Sequence, residues 1–211
     1  MSRFLTWSVL VPVLALALPA VVQAAVETNP QVVVQTAITQ LTARIDKDRA
    51  ALRKSPTALN AVIEENITPF VDVPGIARGV MGQYFRQASD AQRDQFATIF
   101  KQSMVRTYAN GLTSYDNQKV TVKPYKPGDD ANRAQVEVEV ALENGTVVPI
   151  IFQMIRAGDG RWMTRNLIVN GLNLGLTFRK RFAEVVEQSA GNLDKAIAGW
   201  SPAPIEVVKA K

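Results

Sequence analysis

The chain of 211 residues contains no histidine and no cysteine. Without cysteine there are no disulfides, no thiolate metal ligands and no Cys nucleophile, so stability must come from an ordinary core. Without histidine there is no Ser-His or Cys-His pair, no imidazole metal site and no usual proton shuttle near neutral pH. A phosphate-binding glycine loop is missing too, as are internal repeats and low-complexity segments. No basic run is interleaved with aromatics, which argues against nucleic acid as a partner. Carboxylates remain: Glu64, Glu65, Asp72, Asp116, Glu137 and Glu139. Glu137 and Glu139 read as one solvated strand face and Asp72 as a helix cap, so no catalytic residue and no metal ligand is assigned.

What is present begins with the compartment. Arg3 gives a positive n-region, residues 5–18 an apolar run, and Val22-Gln23-Ala24 a small-residue cleavage site. Residues 1–24 are therefore expected to be a secretory signal peptide and residues 25–211 a single domain. The competing reading is an uncleaved membrane anchor, against which Pro12 interrupts the run. In a bacterium the exported chain would reside in the periplasm. Removing Arg3 takes the formal charge from +5 to +4, a mild excess that favours anionic partners. The basic clusters Arg44, Lys47, Arg49, Arg53, Lys54 and Arg179, Lys180, Arg181 fall on helical segments and read as solvated faces.

Residues 69–108 carry more bulky apolar side chains than two helices of a small domain need. Val73, Ile76, Ala77, Val80, Met81, Tyr84 and Phe85 follow a helical stripe that Asp72 and Pro74 open. A capping-box spacing at Ser89 and Gln92 opens the next helix, where Phe96, Phe100, Met104 and Tyr108 form one ridge. The simpler alternative is that both faces pack a core. Upstream, Asn29-Pro30 opens a helix with Val34, Ile38, Leu41 and Ile45 on one face, and Ser55-Pro56 opens another running to about Thr68.

From about Gln118 the period becomes two. Val120 and Val122 precede a turn at residues 126–130, after which Val136, Val138, Val140 and Leu142 alternate with Gln135, Glu137, Glu139 and Ala141. Asn144-Gly145 signals a two-residue type I′ turn, which would pair Leu142 with Val147, Val140 with Pro149 and Val138 with Ile151 on one apolar face. Gly158-Asp159-Gly160 turns the chain into a fourth strand at 162–169, and after Gly171 a long helix carries Leu174, Phe178, Phe182, Val185 and Val186. The expected fold is α+β, with helices packed on a curved antiparallel sheet of about four strands and an apolar cavity between.

Read together, residues 69–115 and 161–182 resemble the MlaC family of periplasmic phospholipid-binding proteins, also called the toluene-tolerance auxiliary family. The matching positions are Asp72, Met81-Gly82, Phe96, Phe100 and Tyr108-Ala109, then Trp162, Leu167, Gly171, Leu172, Leu174 and Arg179. Three positions depart from the family pattern: Asn166 stands for aspartate, Asn173 for serine and Phe178 for tyrosine. The resemblance implies an NTF2-like cone holding acyl chains between sheet and helices. It also implies a carrier that shuttles glycerophospholipid between an outer-membrane lipoprotein-porin complex and an inner-membrane ABC transporter with MCE domains, maintaining outer-membrane lipid asymmetry. No cofactor is implied, and the family is not enzymatic.

The expected lipid-binding set is Val73, Ile76, Val80, Met81 and Tyr84 on the first helix and Phe96, Phe100, Met104 and Tyr108 on the second. Val138, Val140, Val147 and Ile151 join it from the hairpin, followed by Trp162, Leu172 and Leu174. Lifting a diacyl lipid from a bilayer would expose about 30 methylenes at about 0.8 kcal/mol each, roughly 24 kcal/mol if they met water. A dry cavity near the upper end of the usual ~300–1,000 Å³ range is therefore expected. The alternative from another class is an NTF2-like enzyme acting on a hydrophobic substrate, with Tyr84 or Tyr108 as proton donor. A purely structural adaptor with a filled core is the third.

Overall fold

The computed structural model describes residues 27–52, 54–113 and 118–202. The expected signal peptide at 1–24 and the side chain of Tyr108 lie outside that description. Helix α1 (Pro30–Leu52) is followed by α2 (Pro56–Asn66), α3 (Val73–Met81) and α4 (Asp90–Thr113). Five strands then form one antiparallel meander in sequential order: β1 (Lys119–Val122), β2 (Arg133–Ala141), β3 (Val147–Arg156), β4 (Trp162–Val169) and β5 (Leu172–Asn173). Helices α5 (Leu174–Gln188) and α6 (Leu193–Ala198) close the order. The α+β layout is the one expected, with β5 added as a short fifth strand. Among the described residues no helix is long and apolar enough to cross a membrane.

The start signals act as their chemistry requires. Ser55 Oγ accepts from Ala58 N, and the reciprocal box at α4 has Gln92 N donating to Ser89 Oγ and Ser89 N donating to Gln92 Oε1. The stripe read as one helix over 73–85 is interrupted. Gly82 takes φ +57, α3 stops at Met81, and residues Gly82–Arg86 wind as a 3₁₀ turn. Tyr84 and Phe85 therefore reach the cluster that buries Val80 and Met81 from this turn and not from a continuous helix.

The hairpin departs from expectation in its register. The loop spans three residues rather than two: Gly145 N donates to Leu142 O, Leu142 N donates to Thr146 O, and Gly145 alone takes positive φ, at +81. Asn144 instead accepts from Thr146 N through its side chain. This is a turn closed by a glycine bulge, and the extra residue shifts pairing by one, to Ala141 with Val147, Val140 with Val148 and Val138 with Ile150. The shift unites Val136, Val138 and Val140 with Val148, Ile150, Phe152 and Met154 on one face. Val147 and Ile151, expected beside Val138, stand on the opposite face with Glu137 and Glu139. Burial explains the choice, because the observed register brings more bulky apolar side chains together than the alternative.

Three apolar clusters hold the chain. Val33 and Val34 of α1 pack on the sheet face of Val136, Val138, Met154 and Trp162. Ile45 and Leu52 of α1 meet Leu59, Val62 and Ile63 of α2. Between α3, α4, α5 and α6 lies an aromatic core in which Phe96, Phe182 and Trp200 have ring centroids 4.6 to 6.0 Å apart.

Candidate functional site

Where the α1–α2 cluster and the aromatic core meet beside β4, the packing leaves a cavity of about 310 Å³. Ile63 comes from α2, Ile67 and Val71 from the segment after it, Val73 and Ile76 from α3, and Phe100, Met104 and Val105 from α4. The sheet contributes Leu167, and α5 contributes Leu174 and Phe178. Polar groups enter only through Thr68, Lys101, Thr164 and Asn166. Among the described residues no carboxylate lines the cavity. The volume sits at the lower end of the expected range, not the upper. The reason is that the rings of Phe96, Phe178, Phe182 and Trp200 fill the space between the helices that the sequence reading had left for ligand.

The neighbouring elements are fixed by two polar knots. A bulge in β4 pairs Gln153 with Asn166 and Met154 with Thr164, which frees Arg165 from the ladder. Arg165 grips Asp72 through Nε at 2.7 Å and a terminal nitrogen at 2.6 Å, while Asp72 also caps α3 by accepting from Gly75 N at 3.0 Å. The backbone adds Asp72 N donating to Thr164 O. Thus α3, whose Val73 and Ile76 line the cavity, is pinned to β4 at its first residue. Asp72→Ala removes the cap and leaves Arg165 without its partner; a loss of about 1–2 kcal/mol is expected, read by urea denaturation. Asp72→Asn, which keeps a capping oxygen, should recover a large part of it.

The second knot uses two of the three departures from the family pattern. Asn166 donates through Nδ2 to Gln153 Oε1 (2.8 Å) and Asn173 Oδ1 (2.9 Å), and its own Oδ1 accepts from Gly175 N (2.8 Å). Asn173 in turn caps α5 by accepting from Leu176 N. An ionised aspartate at 166 has no proton to donate to either amide oxygen, so the two asparagines suit each other. The third departure, Phe178, is buried and sets its ring edgewise against Phe100 at 6.0 Å.

At the surface between α2 and α4, Lys101 Nζ pairs with Glu64 at 3.0 Å, both side chains being partly exposed. Among the described residues Lys101 is the sole cation of the lining. On the exposed β3–β4 turn, the hydrogen bond from the Arg161 side chain holds the Asp159 carboxyl below its ordinary pKa, and Asp159 does not line the cavity. Among the described residues no cluster of carboxylates could hold a metal ion.

The cavity brings together Val73, Ile76, Phe100, Met104 and Leu174 from the expected set. The others lie elsewhere. Val80, Met81 and Phe96 are buried in the aromatic core, and Tyr84 packs against it. Val138 and Trp162 belong to the cluster under α1, where Trp162 Nε1 donates to Thr28 O, and Val140 shares that sheet face. Val147 is 50% and Leu172 43% exposed, and Ile151 is on the outer sheet face. Sequence reasoning missed the apolar lining residues Ile63, Ile67, Val71, Val105, Leu167 and Phe178. For Ile63 and Ile67 a signal existed, since Leu59, Ile63 and Ile67 recur every four residues; the others depend on which elements meet.

The comparisons with known proteins agree with this geometry. The family model described as MlaC protein matches residues 35–201. The toluene tolerance protein ttg2D of Pseudomonas putida is 37% identical over 184 residues, covering 87% of this chain and 83% of its own. The intermembrane phospholipid transport system binding protein MlaC of Haemophilus influenzae is 26% identical over 150 residues, covering 70% of each. Among solved structures, a phospholipid-binding protein of Ralstonia solanacearum in complex with a phospholipid superposes with a TM-score of 0.73 at 26% identity. That match covers 80% of this chain and 92% of the other.

Proposed function

The chain belongs to the MlaC family, and from that premise we propose that it is a periplasmic carrier that holds phospholipid acyl chains in the cavity bounded by α2, α3, α4, β4 and α5. It takes glycerophospholipid from one membrane complex and delivers it to another, an outer-membrane lipoprotein-porin complex and an inner-membrane transporter with MCE domains, and so maintains lipid asymmetry. The observation that carries this reading is the lining itself, with Ile, Val, Leu, Met and Phe side chains on all sides and, among the described residues, no carboxylate. Such a cavity offers an acyl chain surroundings as dry as the bilayer it leaves, so transfer is nearly balanced and needs no chemistry in the carrier.

A diacyl lipid is larger than the drug-sized ligands that fill ~300 Å³. Loading therefore parts α2 from α4, and the bond across that seam is weak. The Lys101–Glu64 pair is partly exposed, and exposed pairs contribute only about 0–1 kcal/mol. Against the enzymatic alternative, Tyr84 does not line this cavity, and among the described residues no carboxylate does.

Gentle purification from membrane-containing cells followed by solvent extraction and mass spectrometry should yield phospholipid in stoichiometric amount. A lipid-free preparation that also fails to take up phospholipid from vesicles would overturn the carrier reading.

A further inference from the structure

Behind the wall that α3 and α5 present to the cavity lies a second groove of about 740 Å³ with a different chemistry. The same two helices serve both. Leu174 and Phe178 of α5 turn to the cavity, whereas Leu176, Arg179 and Lys180 line the groove. On the α3 side Arg78 joins, with Arg86 from the 3₁₀ turn that follows and Arg165 from the β4 bulge. Among the described residues no carboxylate lines it.

Arg165 is neutralised by Asp72, but Arg78, Arg86, Arg179 and Lys180 have no carboxylate partner among the described residues. Arg179 is held in place, its Nε donating to Gly79 O at 2.7 Å. Among these charges Leu176 lines the groove and is 58% exposed, and Leu172, four residues earlier in the strand leading into α5, is 43% exposed. Uncompensated cations next to protruding leucines at the start of a helix make the pattern of an interfacial anchor. The leucines enter the headgroup boundary while the cations meet lipid phosphates.

We propose that the α3–α5 groove and its two leucines dock the protein on an anionic phospholipid bilayer. Its purpose rests on the carrier reading, since docking would bring the cavity wall to the membrane that supplies or receives the cargo. Its occurrence does not, because surface binding and cavity occupancy are read separately.

The experiment floats the purified protein, with whatever lipid it carries, on neutral phosphatidylcholine vesicles and on vesicles enriched in phosphatidylglycerol. Binding should be confined to the anionic vesicles and should be lost as salt rises from about 0.01 M to about 1 M, over which the screening length falls from ~30 to ~3 Å. Arg86→Gln and Lys180→Gln, both at exposed positions, should each weaken it about fivefold. Leu176→Ser should weaken it at every salt concentration without changing the salt dependence. Extracted lipid per protein and the melting temperature should stay as in the wild type in all three. Absence of binding to anionic vesicles overturns the proposal, as does binding that these variants leave unchanged. Retention on an acidic soluble protein with no vesicle binding also overturns it. If the protein proves free of cargo lipid yet floats as described, the carrier reading fails and the docking surface stands.

Discussion

Met104→Trp should yield a folded protein that carries about tenfold less phospholipid, or less still. Met104 projects from α4 into the cavity between Ile63, Ile76 and Leu174. In a filled core the larger ring would overpack and cost about 1–3 kcal/mol. Here the ring has a void of about 310 Å³ to enter, and it occupies the space assigned to an acyl chain. A tenfold loss of occupancy corresponds to only 1.4 kcal/mol, modest beside the apolar contact that an acyl chain would give up. Extracted phospholipid per protein and circular-dichroism melting should be measured on the same preparation. A collapse of the melting temperature with lipid content unchanged would mean that the cavity is not where the chains lie. Val147→Trp serves as the control. Val147 is half exposed on the outer sheet face, so both readouts should match the wild type.

Phe96→Ala should do the reverse, lowering stability by about 3–5 kcal/mol while the folded fraction keeps its lipid. Phe96 is fully buried and touches Phe100, Phe182 and Trp200, but it does not line the cavity. Its removal opens a hole in the aromatic core of the helices. For a chain of this length each kcal/mol moves the melting temperature by about 2–4 °C, so a drop of roughly 6–20 °C is expected. Retention of the wild-type melting temperature would show that this core is not the main support of the helical layer. Phe96 and Phe100 are one turn apart on the same ridge, yet the substitution separates their roles. Phe100 borders the void and Phe96 fills the space beside it.

That distinction marks the limit of what periodicity can say. A ridge at i, i+4 identifies the residues that leave water, but the hydrophobic driving force is non-directional and does not say whether they meet one another or a ligand. Val80, Met81, Phe96 and Trp162, expected to bind lipid, read as apolar and inward, and each is consumed by packing. Val73, Ile76, Phe100, Met104 and Leu174 read no differently in the sequence. They border the cavity because α2, α3, α4, α5 and β4 converge there without closing the space between them.

The hairpin makes the same point for strands. Asn144-Gly145 reads equally well as the centre of a two-residue turn and as the end of a three-residue loop, since both need positive φ at the glycine. The one-residue difference carried Val147 and Ile151 to the outer face. Only the competition between whole faces, one of which had to cover α1, settled the register.

By itself the sequence determined the α+β order, the helix starts at Ser55, Asp72 and Ser89, the turn positions and the family. These follow from local chemistry, namely capping oxygens, proline and glycine dihedrals and hydrophobic period, or from the joint order of motifs. The tertiary structure alone decided the strand register and the volume of the cavity. It also decided the grip of Arg165 on Asp72 and the gathering of Arg78, Arg86, Arg179 and Lys180 into one groove. Each depends on residues far apart in the chain, whose meeting is set by how the layers pack.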